Sequence, residues 1–212
     1  MRDIKLIIFD LDGTLVNAYP AIIASFNYTM RQLGYPIRDN VSIRRAIGWG
    51  DENLLRPFIK KKDLKNAVTV YRRHHKLALL KQSRLFPGAR RLLGYLKARG
   101  YKLAVASNRP SRFSWILIRH LKIKKYFNYV LCADKLKYIK PHPYILRKII
   151  QKFQLKPAQA FYVGDMIIDA LAGRRSKIKT AIVTTGSSSP LEIKKEKPYR
   201  IIGKLSELYD IL

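Results

Sequence analysis

Apolar residues recur in two rhythms along this chain. Ile4-Lys5-Leu6-Ile7-Ile8-Phe9 is short, nearly continuous and rich in branched side chains, which predicts an interior strand covered on both faces. Beyond it the spacing turns helical. Ile22, Ile23, Phe26, Met30 and Leu33 fall on one face, and Gly34 stops the segment. A short helix is expected from Asn40 to Ile47, ahead of Gly48-Trp49-Gly50. Asp51 is placed to cap the next helix, with Leu54, Leu55, Phe58 and Ile59 on its buried side. Another helix is expected from about Leu64 to Leu80. Residues 16–85 therefore read as an all-helical insertion without a strand.

From Phe86-Pro87-Gly88 onward the two rhythms alternate. Helices are expected at Ala89–Arg99, Ser111–Leu121, Pro143–Phe153 and Ile167–Arg175. Strands are expected at Lys102–Ser107, Tyr129–Cys132, Ala160–Val163 and Thr180–Val183, and Tyr199–Ile202 and Leu205–Leu212 add an edge strand and a closing helix. Such alternation implies right-handed βαβ units and a parallel sheet with helices on both faces. The fold class is α/β: a Rossmann-like doubly wound core from residues 1–15 and 86–212, carrying 16–85 as an inserted helical domain.

The strand ends are where the chemistry gathers. The first strand runs into Asp10-Leu11-Asp12-Gly13-Thr14, and a buried strand has no structural reason to end in two carboxylates. Gly13 permits a sharp turn and a close approach to a ligand. Thr14 sets a hydroxyl beside main-chain N–H groups, a phosphate cradle. In open α/β sheets ligands bind at the carboxyl ends of strands. Leu103-Ala104-Val105-Ala106 ends at Ser107-Asn108, and Phe161-Tyr162-Val163 ends at Gly164-Asp165, with Asp169 four residues on. Lys140-Pro141 stands in a loop before a helix.

Composition narrows the classes. With 212 residues, 48% hydrophobic and 11% aromatic, the chain can build one full domain plus a smaller insert. No apolar run approaches the roughly 18 residues a membrane span needs. Met1-Arg2-Asp3 leads directly into the first strand with no apolar leader, and Cys132 is the single cysteine, so a cytoplasmic protein without a disulfide is expected. Cys132 lies in an apolar strand and reads as a packed thiol. The formal net charge is +29, spread at similar density over the insert and the remainder with no basic arm. It implies salt-sensitive attraction of anionic ligands, and nucleic acid at most as a non-specific partner. Carboxylates are scarce, yet Asp10, Asp12, Asp165 and Asp169 all fall at strand ends.

In their order and placement these residues resemble the haloacid dehalogenase superfamily over essentially the whole chain. Asp10-Leu11-Asp12-Gly13-Thr14-Leu15 resembles its first motif, Ser107 the second, Lys140 the third and Gly164-Asp165 with Asp169 the fourth. Lys140-Pro141-His142-Pro143 and Phe161-Tyr162-Val163-Gly164-Asp165 are similar to the phosphoglycolate-phosphatase-like branch, in which a helical cap follows the first motif. The resemblance implies a phosphatase for small phosphate monoesters, with phosphoglycolate the nominal candidate. Asp10 would be the nucleophile and Asp12 the general acid and base. Mg²⁺ would be held by the Asp10 carboxylate, the Asp12 main-chain carbonyl and Asp165, with Asp169 acting behind them or through a water. Ser107, Asn108 and Lys140 would bind phosphate, and Lys140 would also orient Asp10. Thr14 either assists them or caps the next segment. Asp12 favours phosphate esters over carbon–halogen bonds and leaves a sugar-phosphate mutase as an alternative; the charge leaves a nucleic-acid-associated phosphatase or binder as another.

The insert is expected to set specificity. Gly48 and Trp49 resemble a loop facing the active site, although Trp49 reads equally well as a core residue. Arg109 is either a substrate contact or a solvated arginine. His74 and His75, adjacent on a helix, are expected to face different ways. His142 reads as a helix-start residue. Arg174-Arg175-Ser176-Lys177-Ile178 departs from the small residue and glycine usual in the family, which puts the local turn in doubt. A monomer or homodimer is expected.

Overall fold

A computed structural model describes residues 3–212; Met1 and Arg2, which the sequence reading sets just ahead of the first strand, lie outside the described residues. The chain opens with β1 (Leu6–Phe9), every residue of which is buried. The insert follows: β2 (Val16–Asn17), α1 (Tyr19–Gln32), α2 (Asn40–Ala46), α3 (Asp51–Leu55), α4 (Leu64–Gln82) and β3 (Arg84–Leu85). Then come α5 (Ala89–Ala98), β4 (Lys102–Ser107), α6 (Ser111–His120), β5 (Tyr129–Cys132), α7 (Tyr144–Lys152), β6 (Ala160–Gly164) and α8 (Ile167–Arg175). The chain closes through β7 (Lys179–Val183), α9 (Pro190–Lys195), β8 (Arg200–Ile202) and α10 (Leu208–Ile211).

Six strands form one parallel sheet in the order β5-β4-β1-β6-β7-β8. Numbered within the sheet this is 3-2-1-4-5-6, the doubly wound order whose direction of winding reverses beside β1. Alternation along β1 divides the core. Ile7 and Phe9 pack with Leu92, Leu93 and Leu96 of α5 and Phe113 of α6, whereas Leu6 and Ile8 pack with Ile145, Leu146 and Ile149 of α7. A strand apolar on both faces is what a sheet covered on both sides requires.

Three local features differ from expectation. The insert is not strand-free: β2 and β3 pair antiparallel, Val16 with Leu85 and Asn17 with Arg84, at the two places where the chain enters and leaves it. Two residues per strand are too few to register as a pattern. Asp51 does not cap α3; Gly50 holds the N-cap position, and the Asp51 carboxylate accepts from Arg72 Nε of α4 at 3.0 Å. Helix α9 was not expected, although Ser189 and Glu192 form a capping box at its start. The doubted turn after α8 forms with Lys177 at φ 58°, and Ile178 N–H closes it on Gly173 O at 3.0 Å. Among the described residues no helix is long and apolar enough to cross a membrane.

Candidate active site

The turn after β1 is built around Asp165. Asp10 N–H bonds to Val163 O at 2.8 Å, which ties the end of β1 to β6. Gly13 then takes φ +84°, and a Cβ there would overlap Asp165 Oδ2. Gly186, after β7, closes on the same carboxylate from the other side, and a Cβ there would also collide with it. Both positions demand glycine because the backbone passes at contact distance from a buried charged group.

Lys140 is the centre of the polar cluster. It is 1% exposed, and its Nζ donates to Asp10 Oδ1 at 2.7 Å and Asp169 Oδ1 at 2.8 Å, with Tyr162 OH and Ala106 O each at 3.1 Å. Burial would pull its amine down, but Asp10 and Asp169 more than offset this and hold it above its usual value. Asp169 accepts on both oxygens, from Tyr162 OH at 2.5 Å and from Met166 N–H at 3.1 Å. Asp165 is fully buried and accepts from Thr14 Oγ1 at 2.8 Å and Tyr19 OH at 3.1 Å.

Carboxylate oxygens of Asp10, Asp165 and Asp169 lie within 4.8 Å of one another. Burial first, then the neighbouring carboxylates, pushes Asp165 well above the usual carboxylate range. Burial pushes Asp10 up to about 7 even though Lys140 pulls it down. Three acids against one ammonium cannot all ionise in a buried space without further positive charge. An all-oxygen donor set of this kind fits a hard cation.

Asp12 does not join this group through its side chain. Its Oδ2 accepts from Arg109 Nε at 2.6 Å, and its Oδ1 is buried without a partner among the described residues. A cavity of about 60 Å³ lies above the cluster, lined by Asp10, Asp12, Ser107, Asn108 and Lys140 below and by Ile47, Gly48, Asp51 and Tyr71 of the insert above. A single water needs roughly 10–15 Å³ of such space, so there is room for a compact group.

The structure places the remaining candidates individually. Ser107 lines the cavity, and its Oγ accepts from Arg109 N–H at 3.2 Å. Asn108 lines it too, but its amide is engaged: Nδ2 donates to Gly48 O at 2.8 Å and Lys140 O at 3.0 Å, and Oδ1 accepts from Lys140 N–H at 2.9 Å. Thr14 is fully buried outside the cavity lining, its hydroxyl donates to Asp165 Oδ1, and the N-cap of the next helix is Ala18. Gly48 reaches the cavity, whereas Trp49 is 40% exposed and lies outside it among Arg45, Met166 and Ser187–Ser189, so it is neither a core residue nor a cavity contact. Arg109 is buried and not solvated. His74 and His75 do not diverge: each Nδ1 lies near Ser25 Oγ, at 3.1 and 3.0 Å. His142 stands at a helix start, where its Nδ1 accepts from Tyr144 N–H at 3.2 Å. Cys132 is buried, which raises its thiol pKa.

Sequence reasoning missed Tyr19, Tyr71, His75 and Tyr162. Only Tyr162 carried a signal, being a polar-tipped residue inside a strand otherwise wholly buried.

Known proteins share this fold. Residues 7–183 match the family described as haloacid dehalogenase-like hydrolase. The chain is 33% identical to a phosphoglycolate phosphatase of Aquifex aeolicus over 186 residues, covering 86% of this chain and 85% of that one. It is 30% identical to a phosphoglycolate phosphatase of Haemophilus influenzae over 220 residues, covering 98% of each. A crystal structure described as a predicted phosphoglycolate phosphatase from Haemophilus somnus superposes with a TM-score of 0.94 at 29% identity, covering 100% of this chain and 99% of that one.

Proposed function

The chain belongs to the haloacid dehalogenase-like hydrolases and is a phosphatase, and from that premise we propose that it hydrolyses small organic phosphate monoesters with Asp10 as nucleophile. The observation that carries the assignment of roles is the buried Lys140 ammonium bridging Asp10 and Asp169 beside Asp165, beneath a cavity at the carboxyl ends of β1, β4 and β6. Lys140 holds Asp10 by one oxygen and orients the carboxylate toward the phosphorus. Asp12 gives a proton to the leaving alcohol as the P–O bond breaks and the bond to Asp10 forms. It then takes a proton from the water that attacks the aspartyl-phosphate, releasing inorganic phosphate and restoring Asp10. Ser107 offers its hydroxyl to a phosphoryl oxygen. Asn108 acts by fixing Lys140 and the Gly48 loop.

Asp10, Asp165 and the Asp12 carbonyl would hold Mg²⁺, with Asp169 behind them, and its charge when bound offsets that of the carboxylates and the phosphoryl oxygens. Residues 16–85 act as a cap over the cavity. The small space favours a compact leaving group, phosphoglycolate or a molecule of similar size. Cytoplasmic residence and a monomeric or homodimeric state complete the proposal. The matched relatives favour a phosphatase over a mutase or a nucleic-acid binder.

Steady-state turnover of an aryl phosphate, with and without EDTA, tests this reading. Activity is expected only with a divalent cation, Mg²⁺ among those that support it, and none in Asp10→Asn. Undiminished metal-free turnover, or an Asp10→Asn variant as active as the parent, would overturn it. A panel of phosphorylated metabolites scored for released phosphate then identifies the substrate.

A further inference from the structure

Asp12 is joined to the insert by a buried chain of polar contacts that the reaction scheme above leaves unused. Arg109 Nε donates to Asp12 Oδ2 at 2.6 Å, and Arg109 Nη1 lies 2.7 Å from His75 Nε2. On the other side of the ring, Nδ1 lies 3.0 Å from Ser25 Oγ, and that hydroxyl donates to Ala21 O at 2.8 Å. A guanidinium carries donors only, so His75 Nε2 accepts and the ring proton sits on Nδ1. Ser25 Oγ, having given its own proton to Ala21, accepts from Nδ1. Each donor in the chain has an acceptor, and only one tautomer of a neutral His75 satisfies them all.

The ring is fixed in other ways. His75 has no solvent exposure, stacks on Tyr71 with centroids 4.8 Å apart and meets the edge of Phe113 at 5.2 Å. Burial, together with the Arg109 charge, holds the imidazole pKa well below its ordinary value, so the ring stays neutral beside the guanidinium. Burial alone would weaken the Arg109 cation, but Asp12 more than restores it. The four groups come from separate elements: Ser25 from α1, His75 from α4, Arg109 from the loop after β4 and Asp12 from the loop after β1. The chain therefore closes only when the insert is seated on the sheet.

We propose that Arg109 and His75 are positioning residues for proton transfer: His75 fixes the guanidinium, and the guanidinium holds Asp12 by Oδ2 so that Oδ1 presents the proton to the leaving oxygen. The inference rests on the phosphatase reading above. In the first step the Asp12 Oδ1–H bond breaks and its proton passes to the alcohol oxygen, while the P–O bond breaks and the Asp10–phosphorus bond forms. The electron pair stays on Asp12 as a carboxylate, already facing a cation at 2.6 Å. A preset charge of this kind stabilises the anion that the acid becomes. The unpartnered Oδ1 is the oxygen left free for the task.

Leaving-group dependence separates this role from a merely structural one. An alkyl phosphate needs protonation of its leaving oxygen; p-nitrophenyl phosphate does not. His75→Phe keeps the ring stack and removes the acceptor. It should lower kcat/KM for propyl phosphate by about tenfold more than for p-nitrophenyl phosphate, a partial loss of what a general acid commonly supplies. His75→Gln, whose amide oxygen can accept from Arg109, should return the ratio of the two to within about threefold of the parent. Equal losses on both substrates, or no recovery with Gln, would refute the proposal. If the Phe variant does not fold, Arg109→Met decides, because it removes the cation that holds Asp12 Oδ2; equal losses on both substrates there are equally fatal. A ¹⁵N–¹H correlation spectrum gives a readout without turnover: His75 should be the neutral Nδ1–H form, and an Nε2–H signal would overturn the scheme. Failure of the unmodified protein to turn over either ester would instead count against the phosphatase reading.

Discussion

Replacing Lys140 with methionine keeps the buried stem and removes the charge. The ammonium is the only cation that contacts Asp10 and Asp169 among the described residues, at 2.7 and 2.8 Å. Breaking a buried pair costs about 3–5 kcal/mol, because the partner stays behind uncompensated. For a chain of this length each kcal/mol moves the melting temperature by roughly 2–4 °C, so Lys140→Met should melt about 6–20 °C lower in EDTA. Asp10, already pushed up to about 7, can relieve part of the strain by taking a proton, so the deficit should shrink as the pH falls. A divalent cation should recover more stability in the variant than in the parent, since it supplies charge where the ammonium was lost. Adding Asp169→Asn to Lys140→Met removes one of the two orphaned charges and should raise the melting temperature again, without restoring turnover. Thermal melts by circular dichroism, with and without cation, measure all of this. A single variant melting within about 2 °C of the parent in EDTA, or a double variant no better than the single, would refute the electrostatic account.

Other outcomes follow from the same geometry. The folded pKa of Asp10, about 7, lies above its ordinary value of 3.8. Its contribution to stability is therefore full below about pH 4 and lost as the pH rises through about 7. In EDTA, the stability of the parent relative to Asp10→Asn should decline between about pH 4 and pH 7; parallel melting curves would contradict this. Gly186→Ala would force a Cβ onto Asp165, and should raise the cation concentration needed for half-maximal turnover; an unaltered metal titration would show that Asp165 need not be held in place. Because the cavity holds only a compact group, esters of small alcohols should exceed nucleoside monophosphates in kcat/KM, and the reverse order would mean that the insert opens far beyond the arrangement described.

Much of the architecture could be read from residue order. Buried parallel strands are continuous apolar runs, and the ones at Lys102–Ser107 and Tyr129–Cys132 have the expected limits. Their acidic or hydroxyl-bearing ends stood out because such residues are costly to bury without a use. Strand order was not legible, since nothing local distinguishes a neighbour of β1 from an edge. Contacts across the molecule were hidden for the same reason. Thr14 lies beside Asp165 151 positions away in sequence, and Arg109 reaches Asp12 across 97. Arg109 was one of 43 basic residues, and among the described residues only it and Lys140 are buried. His75 sat beside another histidine on a helix, and periodicity alone suggested that the two rings diverge. A bend bringing both to one serine hydroxyl belongs to side-chain rotamers, which spacing does not encode.

The β2–β3 ribbon has a mechanical consequence. Both crossings between the insert and the sheet run through one two-residue seam, so the insert is tethered at a single point rather than at two. If the insert acts as the proposed cap, a movement that admits a substrate would pivot there and would part His75 from Arg109, so the proposed proton donor would be aligned only with the insert seated.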